Sequence, residues 1–247
     1  MDAARLSLPT GMLLGYTCPT AIQRTEAGGR SVFTWATTSP ELHDRYKLEW
    51  NFRDMSAEPA TPSRPSETMA ALGIVQAGEN ILRRTARPFR LPEEADHARR
   101  VIDDLIASCE RVARAHTFGK GMGIAAPQIG IDRAAAIAYT PGAPGPIVLL
   151  NPRITETAGD IDQQYEGCLS FFDVRCHIPR PRTIHVEHTT PDGTQTITIF
   201  HDGIARLVAH EVDHLHGILC SDHLPAGVAP TPIEEYCGIG SAWDYKA

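Results

Sequence analysis

"TIHVEHTTPDGTQTITIFHDGIARLVAHEVDHLHGIL", Thr183 to Leu219, is the stretch that decides the fold. Two alternating runs flank Pro-Asp-Gly, the pattern of a β-hairpin. The period then changes. Leu207, Val208, Val212, Leu215 and Leu219 give apolar faces at helical spacing, with Asp202 placed as an N-cap and Gly217 as the stop. On this helix His210 and His214 stand one turn apart on one face, with Glu211 beside them. Buried histidines and a buried glutamate need partners, and one divalent metal ion partners all three. A catalytic site of this kind normally has a third protein ligand and an open position, so the ligand set must be completed from elsewhere.

Working outward, "LPEEADHARRVIDDLIASCERVARAHT" (Leu91 to Thr117) carries Ala98, Val101, Ile102, Leu105, Ile106, Cys109, Val112 and Ala113 on one stripe. It predicts a long amphipathic helix, with Glu93 and Glu94 suited to the positive end of its dipole. Short strand-like runs follow at 134–140 and 146–152, parted by Pro-Gly-Ala-Pro-Gly. No βαβ alternation is visible. The order predicts an α+β fold, with mostly antiparallel sheets packed around a metal-binding central helix. Residues 56–67 are rich in Pro and Ser and poor in apolar side chains. The expected organisation is therefore an N-terminal extension at 1–55, a linker at 56–70, a catalytic domain at 71–224 and a tail at 225–247. In the extension, "SVFTWATT" (Ser31 to Thr38) reads as a strand, and Leu42, Tyr46 and Trp50 fall at helical spacing. Neither carries chemistry.

The formal net charge of -7 gives no electrostatic support to a nucleic-acid or anionic-membrane partner. No run is long and apolar enough to span a bilayer, and the N-terminus lacks the basic region and cleavage site of a signal peptide. The six cysteines are scattered, unlike a disulfide framework, which points to a reducing cytoplasm.

Among them Cys168 stands apart. It lies in "YEGCLSFFDV", where Gly167 lets the backbone approach closely and Glu166 lies two positions earlier. Its thiolate suits zinc or ferrous iron. His116, His177, His185, His188 and His216 sit in ordinary polar contexts. "GKGMGIAAPQIG" (Gly119 to Gly130) is too small to fill a core; it makes a backbone wall with Gln128 as its polar reach. Its spacing fits neither a P-loop nor a dinucleotide fingerprint.

The three stretches "GMGIAAPQ", "EGCLS" and "HEVDHLHG", in this order and spacing, resemble the signatures of the peptide deformylase family. The resemblance runs from about Ala71 to about Leu224 and opens on "GIVQAGENILRRTARPF". It implies that Cys168, His210 and His214 bind one divalent ion, Fe2+ in the cell and Zn2+ or Ni2+ in isolated protein, with water in the fourth position. Glu211 becomes general base and proton carrier, and Gln128 and the backbone N–H of Leu169 hold the oxyanion. Gly121, Gly123 and Arg175 become substrate-binding residues, and Glu166 and Arg180 a buried pair behind the cysteine loop. The implied reaction removes the N-formyl group from the initiator methionine of nascent chains in the cytoplasm. The implied partners are a formylated peptide and the ribosome, and the implied state is a monomer.

Three features depart from the family pattern: the N-terminal region, Ala209 where glutamine is common, and "FFDVRCHIPRPR" beside the ligand. They keep open a deformylase-like hydrolase acting on a formylated small molecule or specialised peptide. A general metallopeptidase would instead take a third ligand downstream, where Glu234 and Glu235 are the nearest acidic pair. A non-enzymatic partner-binding role would rest on the N-terminal region.

Overall fold

The computed structural model describes residues 22–27, 30–35, 64–119, 121–140, 143 and 145–236, the first two segments by backbone alone. The chain divides into two units, residues 1–60 and 61–247. In the first, β1 (Ile22–Ala27) and β2 (Arg30–Trp35) form an antiparallel pair closing at Ala27↔Arg30. The strand expected from Ser31 thus begins one residue earlier and has a partner. The helical spacing at 42–50 lies outside the described residues.

The second unit runs α1 (Pro65–Ala71), α2 (Ala95–Ala115), β3 (Met122–Ala125), β4 (Ala135–Tyr139), β5 (Ile147–Glu166), β6 (Val174–Thr189), β7 (Gln195–His201), α3 (Asp202–Leu215), β8 (Thr231–Pro232) and α4 (Ile233–Tyr236). Strands pair in the order β3-β4-β5-β6-β7, all antiparallel, with β8 added to β6. The expected α+β class with a metal-bearing helix is what the chain adopts.

Period-2 alternation explains the layering. On β4 and β5, Ile137 and Leu150 join the α2 stripe of Ala98, Val101, Leu105, Cys109 and Val112. Their neighbours Ala138 and Leu149 face the other way and pack on Ala205, Val208, Ala209 and Val212 of α3. The sheet therefore lies between two helices, and α3 touches β3 through β7. Burying each large aliphatic side chain contributes about 1.5–3 kcal/mol. These two stripes hold α3 in the interior even though it also carries Arg206, His210, Glu211 and His214, all buried.

Four boundaries differ from the sequence reading. Residues 65–71, read as the end of a linker and the first residue of the catalytic domain, are helical, because Met69 is buried against the α2 side of the core. The tail read from 225 onward returns as β8 and α4: Arg175 pairs with Thr231, and the Ile233 N–H donates to the Asp173 carbonyl at 2.8 Å. The strand read at 146–152 continues to Glu166, with three register shifts against β6. Asp202 is the first residue of α3 and not its cap, has φ 51°, and pairs with Arg182. Gly217 does follow the helix, at φ 72°; a Cβ there would meet the Arg83 backbone at 2.6 Å.

The N-terminus of α2 is tied to the sheet by charge. Glu94 takes two hydrogen bonds from Arg133, at 3.1 and 2.8 Å, and one from the Arg90 N–H at 2.6 Å. These donors, Arg133 first, hold the Glu94 carboxyl down at about 2 against an ordinary 4.5. A carboxyl depressed by folding stabilises the fold above its unfolded pKa and loses that contribution as pH falls through the folded one. Between pH 4.5 and about 2, Glu94→Gln should therefore flatten the loss of stability seen in the parent protein, measured by urea melts across that range.

Candidate metal centre

Two elements meet at one point. Cys168 ends the loop after β5, and His210 and His214 come from α3; their ligand atoms all lie within 4.8 Å of one another. All three residues are buried. The Cys168 Sγ stands 3.2 Å from His214 Nε2. Tetrahedral bonds of ordinary metal–sulfur and metal–nitrogen length would set such atoms about 3.6 Å apart, so the trio fits a single ion closely. It is the only such donor group among the described residues.

The arrangement behind it fixes the histidine. Glu166, 1 % exposed, faces His210 Nδ1 at 3.0 Å, which leaves Nε2 for a ligand. The same carboxylate takes a two-point contact from Arg180, both bonds at 3.0 Å, and a third from Arg206 at 2.7 Å. Burial alone would raise this carboxyl; the Arg180 guanidinium and His210 outweigh it and hold it well below the usual range. Arg180 also reaches Asp213 at 2.6 Å, and Asp213 accepts from His223 at 2.8 Å.

Gln128 is oriented by its neighbours. Its Oε1 accepts from the Ala125 N–H at 2.8 Å, which turns Nε2 toward Ser170 Oγ at 3.3 Å and Cys168 Sγ at 3.7 Å. Residues 74–77 clamp these parts together: the Val75 N–H donates to the Gln128 carbonyl at 2.8 Å, and the Ala77 N–H to the Ser170 carbonyl at 2.7 Å. Leu169 opens the short turn that follows the ligand.

Glu211 is buried, and its Oε2 has no hydrogen-bond partner among the described residues. Burial pushes its carboxyl up to about 7, against the pull of the two histidines. Gly123 makes room for it, since a Cβ at that position would lie 2.3 Å from Glu211 Oε1. For Cys168 the balance is opposite. Burial raises a thiol, but His214 and His210 overcome it and favour the thiolate. A lone thiolate, two imidazoles and an unpaired carboxylate beside them are the parts of a one-metal hydrolytic centre.

The remaining residues singled out in the sequence divide. Gly121, at φ 87°, lies immediately before β3, in line with Gly123. Arg175 sits behind the cysteine loop. Its guanidinium carbon would lie 3.0 Å from a Cβ at Gly167, and its Nη1 donates to the Phe172 and Val174 carbonyls. His116 packs on Phe118 and Phe172, His177 on Tyr165, and His216 caps the Val212 carbonyl. None of these joins the donor group, and neither do Glu234 and Glu235, which are exposed on α4. The sequence reading missed Arg206, Asp213, His223 and Ser170. Arg206 did leave a signal: it stands four residues before His210 on the ligand-bearing face, where an unpaired arginine could not be buried.

Residues 71–228 match the family model described as polypeptide deformylase. A peptide deformylase of Synechococcus sp. (strain CC9311) is 34% identical over 174 residues, covering 68% of this chain and 80% of that protein. One from Nostoc sp. is 35% identical over 176 residues, covering 67% and 92%. Among solved structures, a class I type b peptide deformylase from Acinetobacter baumannii superimposes with TM-score 0.54 at 34% identity, over 62% of this chain and 97% of that one. The same enzyme with Met-Ala-Ser bound superimposes equally, at 31% identity over 61% and 96%. The chain belongs to the polypeptide deformylase family. It is a hydrolase with peptide deformylase function, acts on formylated peptides and carries a single metal site.

Glu166→Gln keeps the shape of the carboxylate and removes its charge. Breaking a buried ion pair from one side costs about 3–5 kcal/mol, and losing an outer partner of a ligand costs about 10–100-fold in metal affinity. Both losses are expected, in denaturant titration and in competition with a chelator respectively. An unchanged affinity would mean that His210 needs no such support.

Proposed function

We propose that the chain removes the formyl group from the N-terminal methionine of newly made polypeptides, in the cytoplasm, with ferrous iron as its resident ion. One thiolate and two imidazoles are a donor set suited to Fe2+, Zn2+ and Ni2+ alike. When bound, the ion supplies Lewis acidity that polarises the formyl oxygen and makes a water acidic near neutral pH. The observation that carries the reading is the contact of Glu211 with Gly123. It sets the base against the backbone of β3, 2.3 Å from where a side chain would begin. A reacting carbon must then lie between that backbone and the Cys-His-His trio.

Glu211 takes the proton from the attacking water and returns it to the amine nitrogen that leaves. Burial, which raises its proton affinity, suits it to both halves of that task. The Gln128 Nε2 and the Leu169 N–H donate to the formyl oxygen as it gains charge; removing one such donor costs about 10²–10³ in rate. Gly121 and Gly123 present a wall without side chains. Among the described residues no strand pairs with the outer edge of β3, so an extended peptide can add there. Beyond Ala125 the chain turns into the buried segment 126–128, so the peptide leaves past Gly121. Arg175, behind the cysteine loop, bounds the far side of that path. Ribosome association belongs to this reading as the source of nascent chains, and the Met-Ala-Ser complex of the Acinetobacter baumannii enzyme supports a short peptide as ligand.

Turnover of formyl-Met-Ala-Ser, read as formate release by anaerobically purified protein, tests the assignment. Glu211→Gln should abolish turnover while metal content stays stoichiometric. No turnover of any formyl-Met peptide, with turnover of a small formamide, would replace the nascent-chain substrate by a specialised one. Gly123→Ala should leave the fold and metal content intact and lower kcat by about 10²-fold, because a shift of the base by ~1 Å costs that much.

A further inference from the structure

Two cysteines that neither bind the metal nor serve the reaction meet under the site. Cys176 lies on β6, opposite Glu166 in the register, and Cys220 opens the short turn Cys220–His223. They are 0% and 2% exposed, and their sulfurs stand 2.9 Å apart. Non-bonded heavy atoms settle at about 3.5–4.0 Å, and a disulfide needs about 2.05 Å. A movement of under ~1 Å, shared by two side chains, would join them. We propose that Cys176 and Cys220 are a dithiol site that a small peroxide converts to an intramolecular disulfide.

The placement of the pair gives the bond a consequence. The segment between these two residues contains Arg180, Arg206, His210, Glu211 and His214. A cross-link would close that segment into a ring and fasten the exit of α3 to β6, the strand that carries Arg180 and pairs with Glu166. Neither sulfur is one of the three donor atoms, so the metal site keeps its ligands. At rest the Cys220 thiol keeps its proton, since the contact with Cys176 and burial both push it up. Reaction therefore follows opening of the 220–223 turn, which lies at the surface: Asp222 is exposed, and Ser221 and His223 are partly so. In the opened turn the Cys220 thiolate attacks one peroxide oxygen, the O–O bond breaks and hydroxide leaves, giving a sulfenic acid. The Cys176 thiolate then attacks that sulfur, and a second hydroxide leaves. Two thiols and one hydrogen peroxide become one disulfide and two waters.

The test uses the full-length, zinc-loaded protein, so that no ferrous ion consumes the peroxide. After treatment with hydrogen peroxide and alkylation of remaining thiols in denaturant, peptide mass spectrometry should find a Cys176–Cys220 cross-link reversed by dithiothreitol. The thermal midpoint should rise by about 5–15 °C, with zinc content and formyl-peptide turnover within about twofold of the reduced protein. Cys176→Ser and Cys220→Ser should each remove both the cross-linked peptide and the rise in midpoint. The proposal is overturned if both residues remain alkylatable while Cys168 or Cys109 is oxidised. It is equally overturned if the midpoint rises in either serine variant. The mapping on the parent protein stands alone should a variant fail to fold, and it does not depend on which formylated substrate is used.

Discussion

A single buried carboxylate organises the site. Glu166 lies at the end of β5, two residues before the thiolate, and receives Arg180 from β6 and both Arg206 and His210 from α3. Two consecutive strands and the later helix α3 are thereby held at one charge. An isolated carboxylate at this depth would cost many kcal/mol, and two unpaired guanidinium groups would cost more. Together they compensate one another, and the product of that compensation is an imidazole turned the right way. Geometry at the metal donors is thus set by an ion cluster one layer behind them.

The second constraint is space. Glu211 can be buried and stay unpaired only because β3 presents no side chain at Gly123. The absence of a Cβ lets this carboxyl sit close to the strand, and burial is the largest influence raising its proton affinity. Gly217 follows the same logic at the other end of α3. Its left-handed backbone and bare Cα let the chain turn against Arg83, and the Ala86 N–H then donates to the Leu215 carbonyl at 2.8 Å.

Much of this was legible in the sequence where a period was enforced by burial. The α2 stripe buries one face, so 3.6-residue spacing is written into it, and α3, buried almost all round, was legible from its apolar positions and its two histidines one turn apart. The β6–β7 hairpin was legible from Pro-Asp-Gly and alternation. The outer part of β5, from Arg153 to Tyr165, was not. Its residues are mostly exposed, so neither face selects apolar side chains and no alternation survives. Residues 231–236 were hidden for a related reason: two strand residues and one helical turn carry too little pattern to be seen without their partners Val174, Arg175 and Asp173.

By itself the sequence determined the chemistry: two histidines one helical turn apart, a glutamate between them, one cysteine with a glycine before it, and a glycine wall with a glutamine. A thiolate and imidazoles are the side-chain types such a metal site requires, and helical spacing sets two of them on one face. Tertiary structure alone decided that Asp213 joins the ion cluster, that Ser170 stands beside Gln128, and that Cys176 lies against Cys220. Each of these contacts joins residues far apart in the chain or on neighbouring turns of different elements. A spacing rule describes one element at a time; burial of charge and contact of sulfurs depend on how several elements pack.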